Sequence, residues 1–333
     1  MDATNRSPRR WGGSALTALP LMSGCSGPQS ALQPAGVDAE QIARLFWWMG
    51  GFLILIWVLV IGCAVFVTYI RPRPHDSRAA RWLILGGGVI LPPVVLGVLL
   101  VFGLSLLPSL SAPAEDGLQI SVSGERWWWR VQYPTPSGDT VELANEVRLP
   151  VGERVGFRLT SPDVIHSFWI PSLGGKVDMI PGRTTRLYLE PTKVGVFRGA
   201  CAEFCGTSHA LMNFRVVVME PDAFDTWLER QASPAQPPQG ELARRGQEAF
   251  IANGCGACHT IRGTSADGVL GPDLTHVGSR LSLGAGTLPT DTEAFERWIR
   301  HPDAIKPGVN MPAFGMLPAA QLSAIAAYLS ELK

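Results

Sequence analysis

Two long uncharged runs of apolar residues near the N-terminus constrain the fold of this chain more than any other feature. Residues 45–70 and residues 82–107 contain no Asp, Glu, Lys or Arg. About 20 apolar residues suffice to cross the hydrocarbon core of a membrane, so both runs are long enough. Soluble core helices of this length usually show a polar face, which these runs lack. The sequence therefore predicts a two-helix transmembrane hairpin within residues 40–108.

The loop between the two runs indicates which way the hairpin faces. Residues 71–81 read RPRPHDSRAAR, with four Arg against a single Asp. Short loops rich in Arg stay on the cytoplasmic side of a membrane. Both ends of the hairpin are therefore expected outside, and everything after about residue 108 is expected to be extracytoplasmic.

The first 25 residues have the pattern of a targeting segment. Arg6, Arg9 and Arg10 precede a short apolar run, and LMSGC follows. This arrangement resembles a bacterial lipoprotein signal peptide over residues 1–25, with Cys25 as the lipidated residue. An unprocessed leader is the alternative.

From residue 116 to residue 222 the pattern changes to short runs rich in β-branched and aromatic residues. Gly and Pro separate these runs, one of which, VELANEVRL, extends over residues 141–149 and is read as a single strand. Several short strands with frequent turn signals are typical of a sandwich or a barrel. This region is therefore predicted to be an all-β domain with one core.

Residues 201–212, CAEFCGTSHALM, concentrate soft ligand atoms in one segment of the predicted β domain. Soft sulfur ligands mixed with imidazole suit copper better than calcium or magnesium. Two Cys spaced four apart can bridge two metal ions, which favours a two-copper electron-transfer centre. A disulfide or a zinc site is the alternative, although zinc would leave the Met without a role. A second imidazole, that of His166, is available on a distant predicted strand.

The C-terminal part of the chain carries a haem attachment motif. It follows a Pro-rich linker predicted at residues 231–240. CGACH at residues 255–259 is the c-type haem signature, and a redox dithiol is the alternative. Three runs with helical periodicity surround the motif, so an all-α domain is predicted over residues 241–333. Met311 and Met316 compete for the sixth iron position, where a Met raises the reduction potential.

The run DVIHSFWIPSLGGKVDMIPGR, followed by GACAEFCGTSHALM, resembles subunit II of the haem-copper cytochrome c oxidases. The resemblance covers about residues 40–230 and implies a cupredoxin-like Greek-key sandwich at 116–222 that holds a dinuclear CuA centre. It implies bridging thiolates from Cys201 and Cys205, imidazoles from His166 and His209, a thioether from Met212, and the backbone carbonyl of Glu203. The carboxylate of Glu203 would also contact a magnesium ion shared with subunit I.

The C-terminal domain resembles a class I cytochrome c. Cys255 and Cys258 would form the thioethers to the haem, and His259 would be the proximal iron ligand. The segment NMPAF resembles the axial-Met loop of that family, which favours Met311 over Met316. The segment GPDL at residues 271–274 resembles the one whose Pro carbonyl accepts a hydrogen bond from the proximal His, which would orient the ring.

Two further features compare the chain with the oxidase family. Trp127, in the run GERWWWR, takes the place of the tryptophan that receives electrons from a docked cytochrome, and ordinary strand aromatics are the alternative. Many members carry a Glu just before the Trp at the start of the second span, associated with proton uptake into subunit I. Residues 78–82 read RAARW here, so proton entry by that acid is not expected.

Together the resemblances imply subunit II of a caa-type oxidase, which passes electrons from a donor through haem c to CuA and on to subunit I. Its partners would be subunits I and III, membrane lipid, and a cytochrome c or cytochrome bc-type donor. The implied location is the bacterial inner membrane, with the copper and haem domains on the periplasmic side. The formal net charge is zero, so the sequence shows no excess of basic residues of the kind that favours nucleic-acid binding. The alternatives are a membrane-tethered electron carrier and a quinol oxidase subunit II.

Overall fold

The computed structural model describes residues 26–71, 76–113, 117–135, 138 and 140–333. The predicted lipidation residue, Cys25, lies outside the described residues. The N-terminal part consists of two long helices, and each is α-helical with an internal or terminal π-helical segment. The first contains α1 (Val37–Val65) and the π-helical residues Phe66–Ile70; the second contains α2 (Ser77–Leu83), the π-helical residues Ile84–Ile90, and α3 (Leu91–Ser111).

Both helices are long and apolar enough to cross a membrane, and none of the residues in their most apolar windows is buried inside the protein. Trp47, Trp48 and Trp82 are exposed near the starts of the two uncharged runs, and indole rings favour the membrane interface. The Pro92-Pro93 pair lies in the first turn of α3, directly after a π-helical segment. The wider π turn accommodates residues that lack an N–H donor, so the helix continues through them.

The middle region is a β-sandwich of two five-stranded sheets, which confirms the predicted all-β fold. The strands are β1 (Gln119–Glu125), β2 (Trp128–Pro134), β3 (Thr140–Ala144), β4 (Glu146–Pro150), β5 (Val155–Thr160), β6 (His166–Trp169), β7 (Lys176–Met179), β8 (Thr185–Leu189), β9 (Gly195–Cys201) and β10 (Asn213–Met219). One sheet has the order β3-β2-β1-β5-β8 and the other β4-β10-β9-β6-β7. Buried and partly buried residues alternate along β1 and β2, as expected when one face of a strand packs on the core.

An aromatic cluster fills the sandwich directly beneath the end that carries the predicted copper ligands. Trp129, Phe168 and Phe214 are fully buried. The Phe168 and Phe214 rings stack with centroids 4.7 Å apart, and Trp129 packs edge-on against Phe214 at 5.2 Å. His166 belongs to the same strand as Phe168, so close packing of these rings also fixes the imidazole.

The prediction of a single strand over residues 141–149 is wrong. The structure divides this run into β3 and β4, which belong to different sheets. Between them Asn145 has a φ of 61°, a left-handed conformation that Asn tolerates better than most residues. Its side-chain oxygen accepts a hydrogen bond from the backbone N–H of Trp129 at 2.9 Å. The turn therefore moves the chain from one layer to the other.

Arg154 fixes the sandwich to the membrane hairpin. Its guanidinium donates to the carbonyl oxygens of Ala112 and Ser109, each at 3.0 Å, at the end of α3. It also lies 3.8 Å from the buried carboxylate of Asp38 at the start of α1. Both long helices thus contact one side chain of the sandwich, which connects the hairpin to this domain.

The C-terminal region is helical, as predicted. It contains α5 (Glu241–Ala252), α6 (Thr292–Arg300), the short α7 (Pro302–Ile305) and α8 (Ala319–Glu331) around a separate hydrophobic core. It is preceded by α4 (Pro221–Ala232), so the first two residues of the predicted linker belong to a helix. Phe224 and Trp227 of α4 pack into the core of the sandwich.

His276 joins the helical domain to the connecting segment that precedes it. It is buried, and its Nε2 lies 3.0 Å from the carbonyl oxygen of Ser233. Nearby, the guanidinium of Arg262 donates to the carbonyl oxygens of Gln231 and Ala232. The helical domain therefore binds the connecting segment at its start, which limits how far the two domains can separate.

The helical domain also contacts the sandwich directly, through hydrogen bonds from several segments. Leu281 N donates to Glu146 Oε2 at 2.8 Å, and Arg130 Nη2 donates to Val269 O at 3.1 Å. Asn213 N donates to Ala285 O at 3.2 Å. The two domains form one packed unit at the end of the sandwich that holds the predicted copper ligands.

Candidate metal centre and haem pocket

All six predicted copper ligands converge at one end of the sandwich. The Cys201 and Cys205 sulfurs lie 3.7 Å apart, and neither residue is in a disulfide. Cys201 Sγ lies 3.8 Å from His166 Nδ1, and Cys205 Sγ lies 3.5 Å from His209 Nδ1. Met212 Sδ is 3.8 Å from Cys205 Sγ, and the carbonyl oxygen of Glu203 is 3.2 Å from Cys201 Sγ.

This donor set fits two copper ions better than one zinc ion. Two sulfurs lie at the centre with one imidazole beside each, and the thioether and the carbonyl oxygen complete the set. A structural zinc site takes four N or S ligands in a tetrahedron, which would leave donors unused. Shared thiolates between two soft metal ions use every donor present.

The loop that carries these ligands is shaped by backbone hydrogen bonds. Cys201 ends β9, and its N–H donates to the carbonyl oxygen of Met212 at 3.0 Å, which closes the loop. Gly206 has a φ of 114°, a conformation that favours glycine. A short 3₁₀ turn over His209–Leu211 then brings His209 and Met212 back toward the thiols.

Electrostatics prepare the thiol pair for a soft metal. The hydrogen bond with Cys205, together with the one from His166, holds the pKa of Cys201 far below its usual range. The pKa of Cys205 is raised, because the neighbouring Cys201 and burial both disfavour a second thiolate. The arrangement therefore favours one thiolate in the pair, and the thiolate is the form of cysteine that binds a metal.

Asp163 orients His166, and the sequence prediction missed it. Its Oδ1 lies 3.0 Å from His166 Nε2, so Nδ1 faces the thiols. Burial raises the pKa of Asp163, but hydrogen bonds from His166 and from the backbone N–H groups of Val164 and Arg126 outweigh this and lower it. An acid three residues before a ligand His is a signal that sequence inspection could have used, because ligand imidazoles usually bond a carboxylate through their second nitrogen.

Replacement of Asp163 by Asn should weaken copper binding by about 10- to 100-fold, since an outer partner of a ligand His has effects of that size. The amide can bond His166 but cannot hold it with a negative charge. Competition with a copper chelator, followed by the copper absorbance, measures the change. Asp222→Asn, on the exposed side of α4, is the matched control, and equal affinities of the two variants would contradict the role of Asp163.

A cavity of about 470 Å³ lies next to the CGACH motif, lined mostly by the helical domain and on one side by the sandwich. The residues that line it include every predicted haem-binding group: Cys255, Cys258, His259, Pro272 and Met311. His259 Nδ1 donates to the carbonyl oxygen of Pro272 at 2.8 Å, which leaves Nε2 for iron. Burial lowers the pKa of His259, so the ring stays neutral as a ligand must be. The cavity fits a covalently bound haem.

The structure separates the two candidates for the sixth iron ligand. Met311 packs against the core of the helical domain and lines the cavity, whereas Met316 is 76% exposed. Arg280, which the sequence prediction missed, also lines the cavity and donates to the carbonyl oxygen of Asp273. A guanidinium at this position can pair with a haem carboxylate.

Trp127 lies between the copper ligands and the haem cavity. Its indole Nε1 donates to the carbonyl oxygen of Cys205 at 2.9 Å. The same residue lines the haem cavity, although it belongs to the sandwich. The ring is 7% exposed, so the helical domain covers it. Its predicted part in electron entry remains a prediction.

Glu203, the predicted magnesium ligand, belongs to no compact group of three or more possible metal ligands among the described residues. Its carboxylate is 45% exposed and lies 3.7 Å from Lys176 Nζ. Among the described residues, only His166, Cys201 and Cys205 form a compact group of three or more His, Cys, Asp or Glu. A magnesium ion at Glu203 would need ligands from another chain.

Two family models match separate parts of the chain. "Cytochrome C oxidase subunit II, periplasmic domain" matches residues 134–220, and "Cytochrome c" matches residues 243–333. The first covers most of the sandwich, including all six copper ligand positions, and the second covers the helical domain with its CGACH motif. One chain therefore contains both a region similar to oxidase subunit II and a region similar to cytochrome c.

Several known proteins are similar over nearly the whole length. Cytochrome c oxidase subunit 2 of Alkalihalophilus pseudofirmus is 33% identical, with 94% of each chain covered. The subunit 2 of Bacillus subtilis is 31% identical, with 96% of each covered. A solved structure, the periplasmic domain of subunit II of cytochrome oxidase of Bradyrhizobium japonicum, is 31% identical over 36% of this chain and 96% of its own, with a TM-score of 0.33. The full-length similarity extends across hairpin, sandwich and helical domain.

Proposed function

Because this chain belongs to the cytochrome c oxidase subunit II family, we propose that it is the electron-input subunit of a haem-copper terminal oxidase. The observation that carries the proposal is the convergence of six copper ligands beside a cavity lined by a complete haem-binding set. When bound, the copper pair and the haem supply one-electron redox chemistry. Dioxygen reduction and proton translocation belong to subunit I.

The residues of this chain hold and orient these groups. Cys201 and Cys205 would hold the copper pair between them through their thiolates, and His166, His209, Met212 and the carbonyl of Glu203 would supply the other donors. Cys255 and Cys258 would attach the haem, and His259 and Met311 would bind its iron. Asp163 and the Pro272 carbonyl hold two of these imidazoles in place, which keeps the geometry rigid when the charge changes.

Trp127 is proposed as the aromatic link between the haem and copper sites, since it contacts the copper loop and lines the haem cavity. The proposed donor is a cytochrome c or a cytochrome bc-type complex, for which the haem would supply a one-electron acceptor. Fusion of the two domains replaces diffusion by an intramolecular contact.

Subunit I is the proposed partner on the opposite side of the copper loop, and subunit III joins the same complex. Phe204 of that loop is 78% exposed, and the Glu203 carboxylate beside it is 45% exposed. An exposed aromatic residue and a carboxylate at the copper site suit a subunit interface with a shared magnesium ion. The hairpin anchors the chain in the bacterial inner membrane, with both domains on the periplasmic side, and Cys25 is the proposed lipidation residue.

Purification of the full chain from membranes in a mild detergent tests this function. We expect it to co-purify with a haem-copper subunit, to contain copper and haem c, and to consume oxygen when a reduced cytochrome is supplied. A preparation with copper and haem c but without a haem-copper partner would instead support the membrane-tethered carrier. The two-span hairpin favours the oxidase, because a carrier needs only one anchor.

A further inference from the structure

Lys306 carries a buried ammonium group at the boundary between the cytochrome domain and the sandwich. It follows α7 and is 2% exposed. Its Nζ donates to the carbonyl oxygens of Trp127 at 2.5 Å, Leu211 at 3.0 Å and Gly284 at 3.1 Å. Lysine is almost never fully buried unless it is paired. Burial lowers the pKa of Lys306 to about 7, but the site matches the protonated form, because its three N–H donors meet three backbone carbonyls, two from the sandwich and one from the cytochrome domain.

The two sandwich carbonyls belong to the segments that shape the copper site. Trp127 bonds the carbonyl of Cys205 through its indole. Leu211 ends the 3₁₀ turn between His209 and Met212. One side chain of the cytochrome domain therefore holds the aromatic residue and the ligand loop together, and Lys306 also lines the haem cavity.

The residues around Lys306 leave little room for the domains to slide. We call residues 306–308 the docking segment. Within it, Pro307 O accepts a hydrogen bond from Ser208 Oγ at 2.6 Å. Gly308 has a φ of 81°, and a Cβ there would lie 2.9 Å from the Trp127 ring. A Cβ on Gly206 of the copper loop would lie 3.0 Å from the same ring. The indole thus lies between one glycine from each domain.

A buried ammonium group favours one docked arrangement over others. When the domains separate, water solvates the group, so its burial alone does not strengthen docking. When they dock in any other register, the group loses its carbonyl partners while it remains out of water, which is costly. The observed register satisfies all three donors.

We propose that Lys306 is the positioning residue that fixes the cytochrome domain in its electron-transferring register on the copper domain. The inference rests on the proposed function. Removal of the ammonium lets other registers compete, and the observed transfer rate falls in proportion to the population that remains correctly docked.

The test uses the full chain within its purified oxidase complex, in the variants Lys306→Met, Lys306→Gln and Lys306→Arg. Lys333→Met, at the exposed C-terminus, is the matched control. Rapid photoreduction of haem c, followed by the copper absorbance, gives the transfer rate. Hydrogen exchange at the amides of Asn213 and Leu281 reports the register, since both bond across the interface.

We expect the Met and Gln variants to transfer electrons about tenfold more slowly, which corresponds to a tenfold loss of the docked population. Their two interface amides should exchange faster, with unchanged haem and copper spectra. Lys306→Arg, which keeps the charge and the donors, should recover part of the rate. A transfer rate in the Met and Gln variants equal to that of Lys333→Met would overturn the proposal, even if exchange rises. Absence of haem-to-copper transfer in the wild type would instead overturn the proposed function itself.

Discussion

Cys205→Ser is expected to abolish the mixed-valence copper signal in electron paramagnetic resonance while the absorbance of haem c stays unchanged. Cys205 Sγ lies within 4 Å of three other donors: Cys201 Sγ, His209 Nδ1 and Met212 Sδ. A serine oxygen is a hard ligand that suits copper poorly and does not replace a bridging thiolate. The haem is held in a domain with its own hydrophobic core, so its attachment does not depend on the copper loop.

Cys63→Ser is the matched control for that experiment. Cys63 lies in α1, exposed on the membrane helix and far along the chain from the ligand loop. It should retain both the copper signal and the haem absorbance. A Cys205→Ser protein with a normal copper signal would refute the assignment of Cys205 as a bridging ligand.

Met311→Leu is expected to lower the reduction potential of the haem, on the order of 0.1 V or more, since axial ligands set haem potentials over a range of about 0.8 V. A thioether ligand raises the potential, and leucine keeps the side-chain volume while it removes the sulfur. Met311 also packs on the domain core, so the conservative change leaves the fold intact. A redox titration of the haem absorbance measures the shift.

Met316→Leu separates ligation from a general effect of the substitution. Met316 is 76% exposed. The haem of the Met316→Leu variant should therefore have the same reduction potential as the haem of the wild type. If the potential fell in Met316→Leu and not in Met311→Leu, the axial assignment would have to be exchanged between the two residues.

Sequence inspection worked where a local pattern carries the information. The apolar runs, the short alternating strands and the helical periodicity predicted three regions that the structure contains. The ligand residues also stand in short motifs, because a loop of twelve residues can present most donors of one site. His166 was recognised as a second imidazole on a distant predicted strand, and the resemblance to the oxidase family then assigned it to the site.

Local patterns did not predict features that depend on long-range contacts. The run over residues 141–149 alternates like one strand, yet Asn145 turns it into the second sheet. His276 looks like a surface residue, but the connecting segment covers it. Lys306 has no motif at all, because its three partners come from segments far apart in the sequence.

The sequence by itself determined the apolar hairpin, the β and α domains, the set of candidate metal-ligating residues and the haem attachment motif. These depend on residue type and short spacing, which hydrophobicity, strand and helix periodicity and ligand chemistry constrain directly. The tertiary structure alone decided that Asp163 orients His166, that Met311 lines the haem cavity while Met316 is exposed, and that the cytochrome domain docks on Trp127 through Lys306. Those choices depend on burial, which forces each polar group to find a partner wherever the folded chain brings one.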